Sequence, residues 1–267
     1  MDGAFDYCGR AVFVAGGSSG INLGIAEGFA RAGAAVAIAS RSRERVDAAV
    51  AALGAHGGRV MGDTADVRDY AAVAAVLERV EGALGPIDVL VSGAAGNFPA
   101  PALGMSANGF KAVVDIDLLG TFNVLRAAHA HLRKPGAAIL NISAPQAYNP
   151  SPLQVHVCAA KAGVDMVTRV LAMEWGGDGI RVNSIVPGPI EGTEGVRRLM
   201  PSEAAKRAAE RTIPLRRLGS TEDVARLALF LASPLAGYVT GAVVPVDGGW
   251  SLAGVGSVSV MAAQDGS

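Results

Sequence analysis

The residues best suited to chemistry begin at Gly16. An apolar run, Ala11–Ala15, passes straight into Gly16-Gly17-Ser18-Ser19-Gly20-Ile21-Asn22-Leu23-Gly24 and then into residues at helical spacing. A turn that approaches a pyrophosphate closely needs glycine, because a Cβ would collide with it. The helix that follows offers unpaired N–H groups and the positive end of its dipole to the phosphates. Gly16, Ser18, Ser19, Gly20 and Ile21 are therefore the candidate phosphate contacts. Glycines alone would also suit a turn that binds nothing; the strand–turn–helix setting favours a nucleotide. Past the second apolar run stands Ser40-Arg41-Ser42-Arg43, with no acid before Glu44. An acid at that point hydrogen-bonds a ribose 2′-hydroxyl, whereas a cation receives a 2′-phosphate. Arg41 thus points to NADP(H), with Arg43 as a helper; the plainer reading is two solvated arginines at a helix start.

Such a turn works only at the end of a strand held in a sheet. The strand candidates are Ala11–Ala15, Ala35–Ala39, Arg59–Met61, Val89–Val91, Ala137–Ile142, Arg181–Ile185 and Ala242–Val246. Most are apolar throughout, as strands covered on both faces are. Helical spacing of apolar residues marks Leu23–Arg31, Arg43–Leu53, Tyr70–Ala83, Asn108–Leu132, Gln154–Trp175 and Thr221–Leu231. The alternation predicts an α/β fold: a single-domain, Rossmann-type doubly wound parallel sheet of about seven strands with helices on both faces. No internal repeat or long linker divides the chain, so residues 1–267 read as one domain. Two loops lie past strand ends, where open sheets bind ligands. They are Ala144–Pro152, with three prolines, and Pro187–Pro201, which leads into a charged helix, Ser202–Arg211. The small, polar stretch Ser251–Ser267 reads as a flexible tail.

Composition narrows the function classes. The 267 residues are 51% hydrophobic, enough for one sizeable core. The 23 basic and 24 acidic residues leave a net charge of -1, which gives no support for nucleic acid or an anionic membrane as partner. Cys8 and Cys158 have neither metal-ligand spacing nor a disulfide framework, so no metal is expected and a reducing cytoplasm is the expected compartment. The first ten residues carry acids where a signal peptide carries bases, no apolar run approaches spanning length, and Ala263–Ser267 is no peroxisomal address.

Further motifs follow the glycine turn in order: Asp66-Val67, Ser92-Gly93-Ala94-Ala95-Gly96, Asn183, Pro187-Gly188-Pro189-Ile190 and Asp247-Gly248-Gly249. Together they resemble the short-chain dehydrogenases/reductases over nearly the whole chain. The turn matches that family's Gly-x-x-x-Gly-x-Gly with Asn22 in place of the third glycine, and Ser92–Gly96 matches its Asn-Asn-Ala-Gly stretch without the asparagines. The resemblance implies Asp66 and Val67 at the adenine, Gly96 against the cofactor and Lys161 on the nicotinamide ribose. It also implies Pro187, Gly188, Ile190 and Thr193 around the carboxamide. Helices Asn108–Leu132 and Gln154–Trp175 would then pair subunits into a homotetramer.

The family's catalytic Tyr-x-x-x-Lys is altered. The helix reads Val157-Cys158-Ala159-Ala160-Lys161, and Ser143 stands at the family's serine position. Valine carries no proton, so ordinary ketone–alcohol chemistry lacks its acid. Ala94–Phe98, Asp115–Asn123, Leu153–His156 and Pro187–Gly195 resemble the 2,4-dienoyl-CoA reductases, chiefly the peroxisomal type, a branch that also lacks the tyrosine. The implied reaction is NADPH-dependent reduction of a conjugated acyl-CoA thioester, in fatty acid metabolism. Hydride enters the far end of the conjugated chain, charge spreads to the thioester oxygen, and a carbon is protonated. Asp117, where ordinary members carry asparagine, and Lys161 would hold and polarise the water that delivers the proton. In a dry site these form a coupled pair; otherwise they are two solvated helix charges.

Tyr148, on the proline-rich loop, is a rival donor, although the mitochondrial-type loop tyrosine falls at Gln146 when counted from Lys161. Cys158 and His156 read as a small buried thiol and a helix-start histidine. The resemblance sets Arg68 and Arg198 at the CoA phosphates, and Phe98, Ser106 and Asn108 along the acyl or pantetheine path. Two alternatives stay open: an oxidoreductase for another enoyl thioester or carbonyl compound, and a non-catalytic dinucleotide-binding module, which Val157 and Ser92-Gly93 would suit.

Overall fold

Strand β1 (Ala11–Ala15) is buried at all five residues, and its side chains divide between two cores. Val12 and Val14 enter one with Ile25, Phe29, Val46, Leu53, Val224 and Leu231. Phe13 and Ala15 enter the other with Val73, Leu77, Val80, Val124, Leu125 and Leu171. A strand walled on both faces by helices has this pattern, which explains why it reads as an unbroken apolar run. The computed structural model describes residues 5–200 and 202–252, without the side chains of Arg198 and Leu199.

The seven strands are parallel, in the order β3-β2-β1-β4-β5-β6-β7. The others are β2 (Ala35–Ser40), β3 (Val60–Thr64), β4 (Ile87–Ser92), β5 (Ala138–Ile142), β6 (Arg181–Pro187) and β7 (Val243–Val246). The order reverses between β1 and β4, which opens a crevice beyond their carboxyl ends. Helices α1 (Gly20–Arg31), α2 (Arg43–Gly54) and α9 (Thr221–Ala232) cover one face; α3 (Tyr70–Leu84), α5 (Gly120–Ala128) and α6 (Val155–Trp175) cover the other. Polar caps fix most starts: Asp69 accepts from Ala72 N at 3.1 Å, and Ser220 forms a capping box with Asp223 on α9.

Three expectations need correction. The third strand runs on to Thr64, because Gly62, Asp63 and Thr64 continue the ladder opposite Ile38, Ala39 and Ser40. The helix expected over Asn108–Leu132 is α4 (Ala107–Val114), a π turn (Asp115–Leu119), α5 and a 3₁₀ turn (His129–His131). The loop expected over Pro187–Pro201 contains α7 (Glu194–Leu199), capped by Thr193, before α8 (Glu203–Thr212). Trp250–Leu252 form a 3₁₀ turn; residues 253–267 of the expected tail lie outside the described residues. No helix among the described residues is long and apolar enough to cross a membrane.

Candidate active site

The glycine turn lies at the mouth of the crevice. Gly16 has φ +80° and Gly20 φ +57°, a region that side chains with a Cβ rarely adopt. A Cβ on Gly16 would sit 2.9 Å from the Ala94 backbone. Ser19 precedes α1 without a side-chain cap, which leaves the first-turn N–H groups to a ligand. A Cβ on Gly20 would meet nothing nearer than Thr193 at 4.0 Å, so open space separates this turn from the loop before α7. Ser19, Gly20, Arg45, Gly192, Glu194 and Arg197 line a pocket there. Glycine turn, uncapped helix and adjoining space fit a dinucleotide's pyrophosphate.

Asn22, the residue that breaks the glycine pattern, bridges two strands. Its Nδ2 donates to Gly93 O at 2.7 Å and to Gly16 O at 3.3 Å. A Cβ on Gly93 would lie 2.1 Å from Asn22 Oδ1. The large residue at 22 and the missing side chain at 93 are therefore complementary.

Along the 2′ edge, Ser18 Oγ and Ser40 Oγ are 2.7 Å apart, and Arg41 is exposed at the end of β2. Arg41 makes no ion pair among the described residues, although its charge is felt at Asp66. Arg43 is already engaged: Nε reaches Asp47 Oδ2 at 3.0 Å and Nη2 reaches Oδ1 at 2.8 Å. Arg68 likewise clasps Asp66, with Nε to Oδ1 at 2.9 Å and Nη2 to Oδ2 at 2.5 Å, and holds that carboxyl below its usual range. The expected adenine contact and the expected CoA cation are thus partners of each other.

The π turn delivers Asp117. A π turn holds one more residue than an α turn and releases carbonyls from the helical ladder; here Thr121 Oγ1 donates to Asp117 O at 2.7 Å. Gly163 on α6 faces Leu118 so closely that a Cβ would be 2.8 Å from its side chain. The two segments meet, and Asp117, 1% exposed, accepts from Gly96 N at 2.7 Å and faces Lys161 Nζ at 3.2 Å. Asp117 Oδ2 has no aligned hydrogen bond, while Lys161 Nζ donates to Ile142 O at 3.0 Å. Val157 is buried among Val113, Ala160 and Phe98. Ser143 is buried at the end of β5, and its Oγ has no hydrogen-bond partner among the described residues.

Other expected site residues lie farther out. Tyr148 is 45% exposed, and no hydrogen bond joins it to Asp117 or Lys161. Ser106 caps α4 by accepting from Gly109 N at 3.0 Å, and Asn108 is exposed. Phe98 packs edge-on against His156, ring centroids 4.5 Å apart. Pro187 and Gly188 end β6, with Gly188 against Asp247; Ile190 bridges to Gly219, and Thr193 Oγ1 donates to Ile190 O at 2.7 Å. Val67 is buried, and its carbonyl accepts from Asn123 at 2.9 Å. Arg198 lies on the α7 backbone, its side chain outside the described residues.

The burial of two polar residues goes beyond a reading of sequence alone. His156 is fully buried, and neither ring nitrogen has a hydrogen-bond partner among the described residues. Asp165 is 4% exposed with Oδ1 unpartnered, and burial pushes its carboxyl above the usual range. Position 165 falls on the buried stripe of α6 with Lys161, Val164 and Thr168.

The arrangement of fold and motifs matches known proteins throughout. Residues 15–251 match the family model described as enoyl-(acyl carrier protein) reductase, a group of short-chain dehydrogenases/reductases. The chain is 48% identical over 242 residues to a peroxisomal 2,4-dienoyl-CoA reductase from Pongo abelii, covering 90% of this chain and 83% of that one. A putative short-chain alcohol dehydrogenase from Sinorhizobium meliloti 1021 superposes with TM-score 0.87 at 35% identity, covering 92% and 98% of the two chains. A gluconate 5-dehydrogenase from Burkholderia cenocepacia J2315, solved with NADP and tartrate, gives TM-score 0.86 at 31% identity, covering 93% and 98%. The chain belongs to the short-chain dehydrogenase/reductase family. It is an oxidoreductase whose fold binds a nicotinamide dinucleotide.

Proposed function

We propose that this oxidoreductase reduces 2,4-dienoyl-CoA thioesters with NADPH. The observation that carries the reading is the buried Asp117–Lys161 pair, 3.2 Å apart, in a site where valine replaces the family's tyrosine. The relative from Pongo abelii, named a (3E)-enoyl-CoA-producing 2,4-dienoyl-CoA reductase, supports it. Arg41, which makes no ion pair among the described residues and has no acid between the second strand and Glu44, supports NADP(H) over NAD(H).

Gly16, Ser18, Ser19, Gly20 and Ile21 would hold the pyrophosphate, Arg41 the 2′-phosphate, and Asp66 and Val67 the adenine. Gly96 and Lys161 would meet the nicotinamide ribose, with Pro187, Gly188, Ile190 and Thr193 around the carboxamide. Bound there, the reduced nicotinamide would supply a hydride to C5 of the conjugated chain. The displaced electrons run to the thioester oxygen, and a proton added at C2 leaves a 3-enoyl product. Lys161 commits one N–H to Ile142 O and turns its charge on Asp117; Asp117 commits Oδ1 to Gly96. The remaining Oδ2 and the ammonium hold the water that protonates C2, and general acid catalysis of this kind contributes about 10²- to 10⁴-fold. A phenol aimed at a carbonyl oxygen is not required. Arg68, Phe98, Ser106, Asn108 and Arg198 are our candidates for the CoA and acyl path.

The exposed apolar side chains of Phe122, Met166, Val170 and Met173 on α5 and α6 support subunit pairing, and the free cysteines Cys8 and Cys158 a reducing cytoplasm. Light scattering tests the expected tetramer. The function is tested by mixing the protein with NADPH and dienoyl-CoA thioesters of several lengths and following the dienoyl absorbance. We expect NADPH-dependent loss of that band, faster than with NADH. Tight NADPH binding without loss at any chain length overturns the reading and leaves a non-catalytic module.

A further inference from the structure

Residues 93–96 run from the end of β4 to the buried pair, and side chains clamp both ends of this stretch. At the far end, Gly96 N donates to Asp117 Oδ1 at 2.7 Å, and Asp117 faces Lys161. At the near end, Gly93 O accepts from Asn22 Nδ2 at 2.7 Å. Asn22 stands in the first turn of α1, and the same Nδ2 reaches Gly16 O at 3.3 Å. One amide thus ties the glycine turn to the stretch that supplies a donor to Asp117. The backbones meet as well. Gly93 N donates to Ala15 O at 3.2 Å, and a Cβ on Gly16 would lie 2.9 Å from the Ala94 backbone. Movement of the turn is therefore passed to Ala94, and movement of residues 94–96 to Asp117.

The clamp at the near end comes from outside the stretch. Residue 93 has no side chain, and the three atoms nearest a Cβ there all belong to the Asn22 amide, the closest at 2.1 Å. The net stability that Asn22 adds is small. Its Nδ2 makes two neutral hydrogen bonds, but Oδ1 is buried with no hydrogen-bond partner among the described residues, and an unsatisfied acceptor offsets much of what the donors contribute. A side chain that adds little to the fold, yet joins the cofactor turn to the reactive pair, acts through position. We infer that Asn22 is a positioning residue: it fixes the register of the pyrophosphate turn against residues 93–96, so that the bound cofactor and the Asp117–Lys161 pair keep one separation. The effects on NADPH and turnover rest on the function proposed above; the effect on the cofactor-free protein does not.

The test compares the wild type with Asn22→Ala, Asn22→Gly and the Asn22→Gly/Gly93→Asn double variant. The double variant returns an amide to the same space from the other side, and Gly93 lies outside the left-handed region, so its backbone accepts asparagine. In the cofactor-free protein, amide exchange over residues 92–97, followed by mass spectrometry, should be about fivefold faster in both single variants, as the loss of one net hydrogen bond allows. The Kd for NADPH, read by fluorescence, should rise about fivefold for the same reason. We expect kcat on a dienoyl thioester to fall about tenfold or more, since a misplacement of about 1 Å costs up to about 10²-fold, with the KM for the thioester little changed. The Tm of Asn22→Ala should stay within about 3 °C of the wild type. The double variant should return NADPH affinity and kcat to within about threefold of the wild type. Exchange, affinity and kcat all within about twofold of the wild type in Asn22→Ala would make the amide a space-filler and overturn the inference. A double variant no better than Asn22→Gly overturns it too. If Asn22→Ala fails to fold, the residue holds the structure rather than the register, and the inference falls. A wild type that binds NADPH but turns over no dienoyl thioester overturns the substrate reading instead, and exchange and affinity then decide on Asn22.

Discussion

Two carboxylates are buried to the same degree, 4% exposed, yet their surroundings shift them in opposite directions. Asp88, near the start of β4, is saturated. Arg133 Nε donates to Oδ1 at 2.6 Å, Arg10 Nη1 at 2.8 Å, and Ala11 N reaches Oδ2 at 2.9 Å. Burial alone would raise Asp88, but the guanidiniums and the backbone N–H hold it below its usual range. Asp165 has hydroxyls beside it and an unpartnered oxygen, and burial prevails. Depth therefore does not decide the ionisation of a carboxylate; the donors around it do. The amino-terminal edge of the sheet is closed with paired charge. The carboxyl-terminal edge keeps Asp117 Oδ2, Ser143 Oγ, Asp165 Oδ1 and both His156 nitrogens without hydrogen-bond partners among the described residues. The unsatisfied groups gather where ligands bind such sheets.

Substitutions can break or sharpen this contrast. The largest effect is expected at the carboxyl edge. Asp117→Asn should lower kcat on a dienoyl thioester about 10³-fold with little change in the KM for NADPH. Steady-state kinetics check it, and a variant within fivefold of wild type would remove the catalytic meaning of that edge. At the other edge Asp88→Ala strands two arginines. It should destabilise the protein by about 3 kcal/mol, lowering Tm by roughly 6–12 °C in thermal melts, while kcat at 25 °C stays within twofold. Arg41→Ala should raise the KM for NADPH about 30-fold, the loss of a charge-assisted phosphate contact, and leave that for NADH nearly unchanged. The smallest effect concerns Asp165→Asn. A carboxyl raised in the fold contributes most below the unfolded value of about 3.9 and loses that contribution as pH climbs towards its folded value. The amide variant should therefore be more stable than the wild type at pH 8, with the gain vanishing towards pH 4. Asp88 works in the opposite sense: its stabilisation is full above about pH 4 and fades as pH falls through its depressed value. Melts of both variants across pH sharpen the comparison, because the two curves must slope in opposite directions.

Much of the candidate site was legible in sequence because it depends on local order. The strand–turn–helix at Gly16–Gly24 has the same meaning wherever it is met, and Lys161 and Ser143 are found by counting from the ends of elements. The π turn was not legible. Asp115–Leu119 carries the same apolar rhythm as the α-helices on either side, and the extra residue appears only when α5 must pack on Val67 while Leu118 meets Gly163. Asp165 was hidden because an acid four residues after a lysine usually marks a solvated pair, and its burial depends on Ser184 of a strand 19 residues away. The partners that occupy Arg43 and Arg68, Asp47 and Asp66, stand close by in the chain, but side-chain geometry rather than spacing joins them.

The Asn22–Gly93 fit governs how this turn can diverge. A side chain cannot enter at 93 while asparagine stands at 22, since its first carbon would be 2.1 Å from Oδ1. Changing Asn22 to glycine first sacrifices two hydrogen bonds but clashes with nothing. Only one order of steps therefore leads back to a turn with three glycines and a side chain at 93, and it passes through an intermediate with a looser turn. The two sites form a one-way gate in sequence space, closed to whoever substitutes residue 93 first.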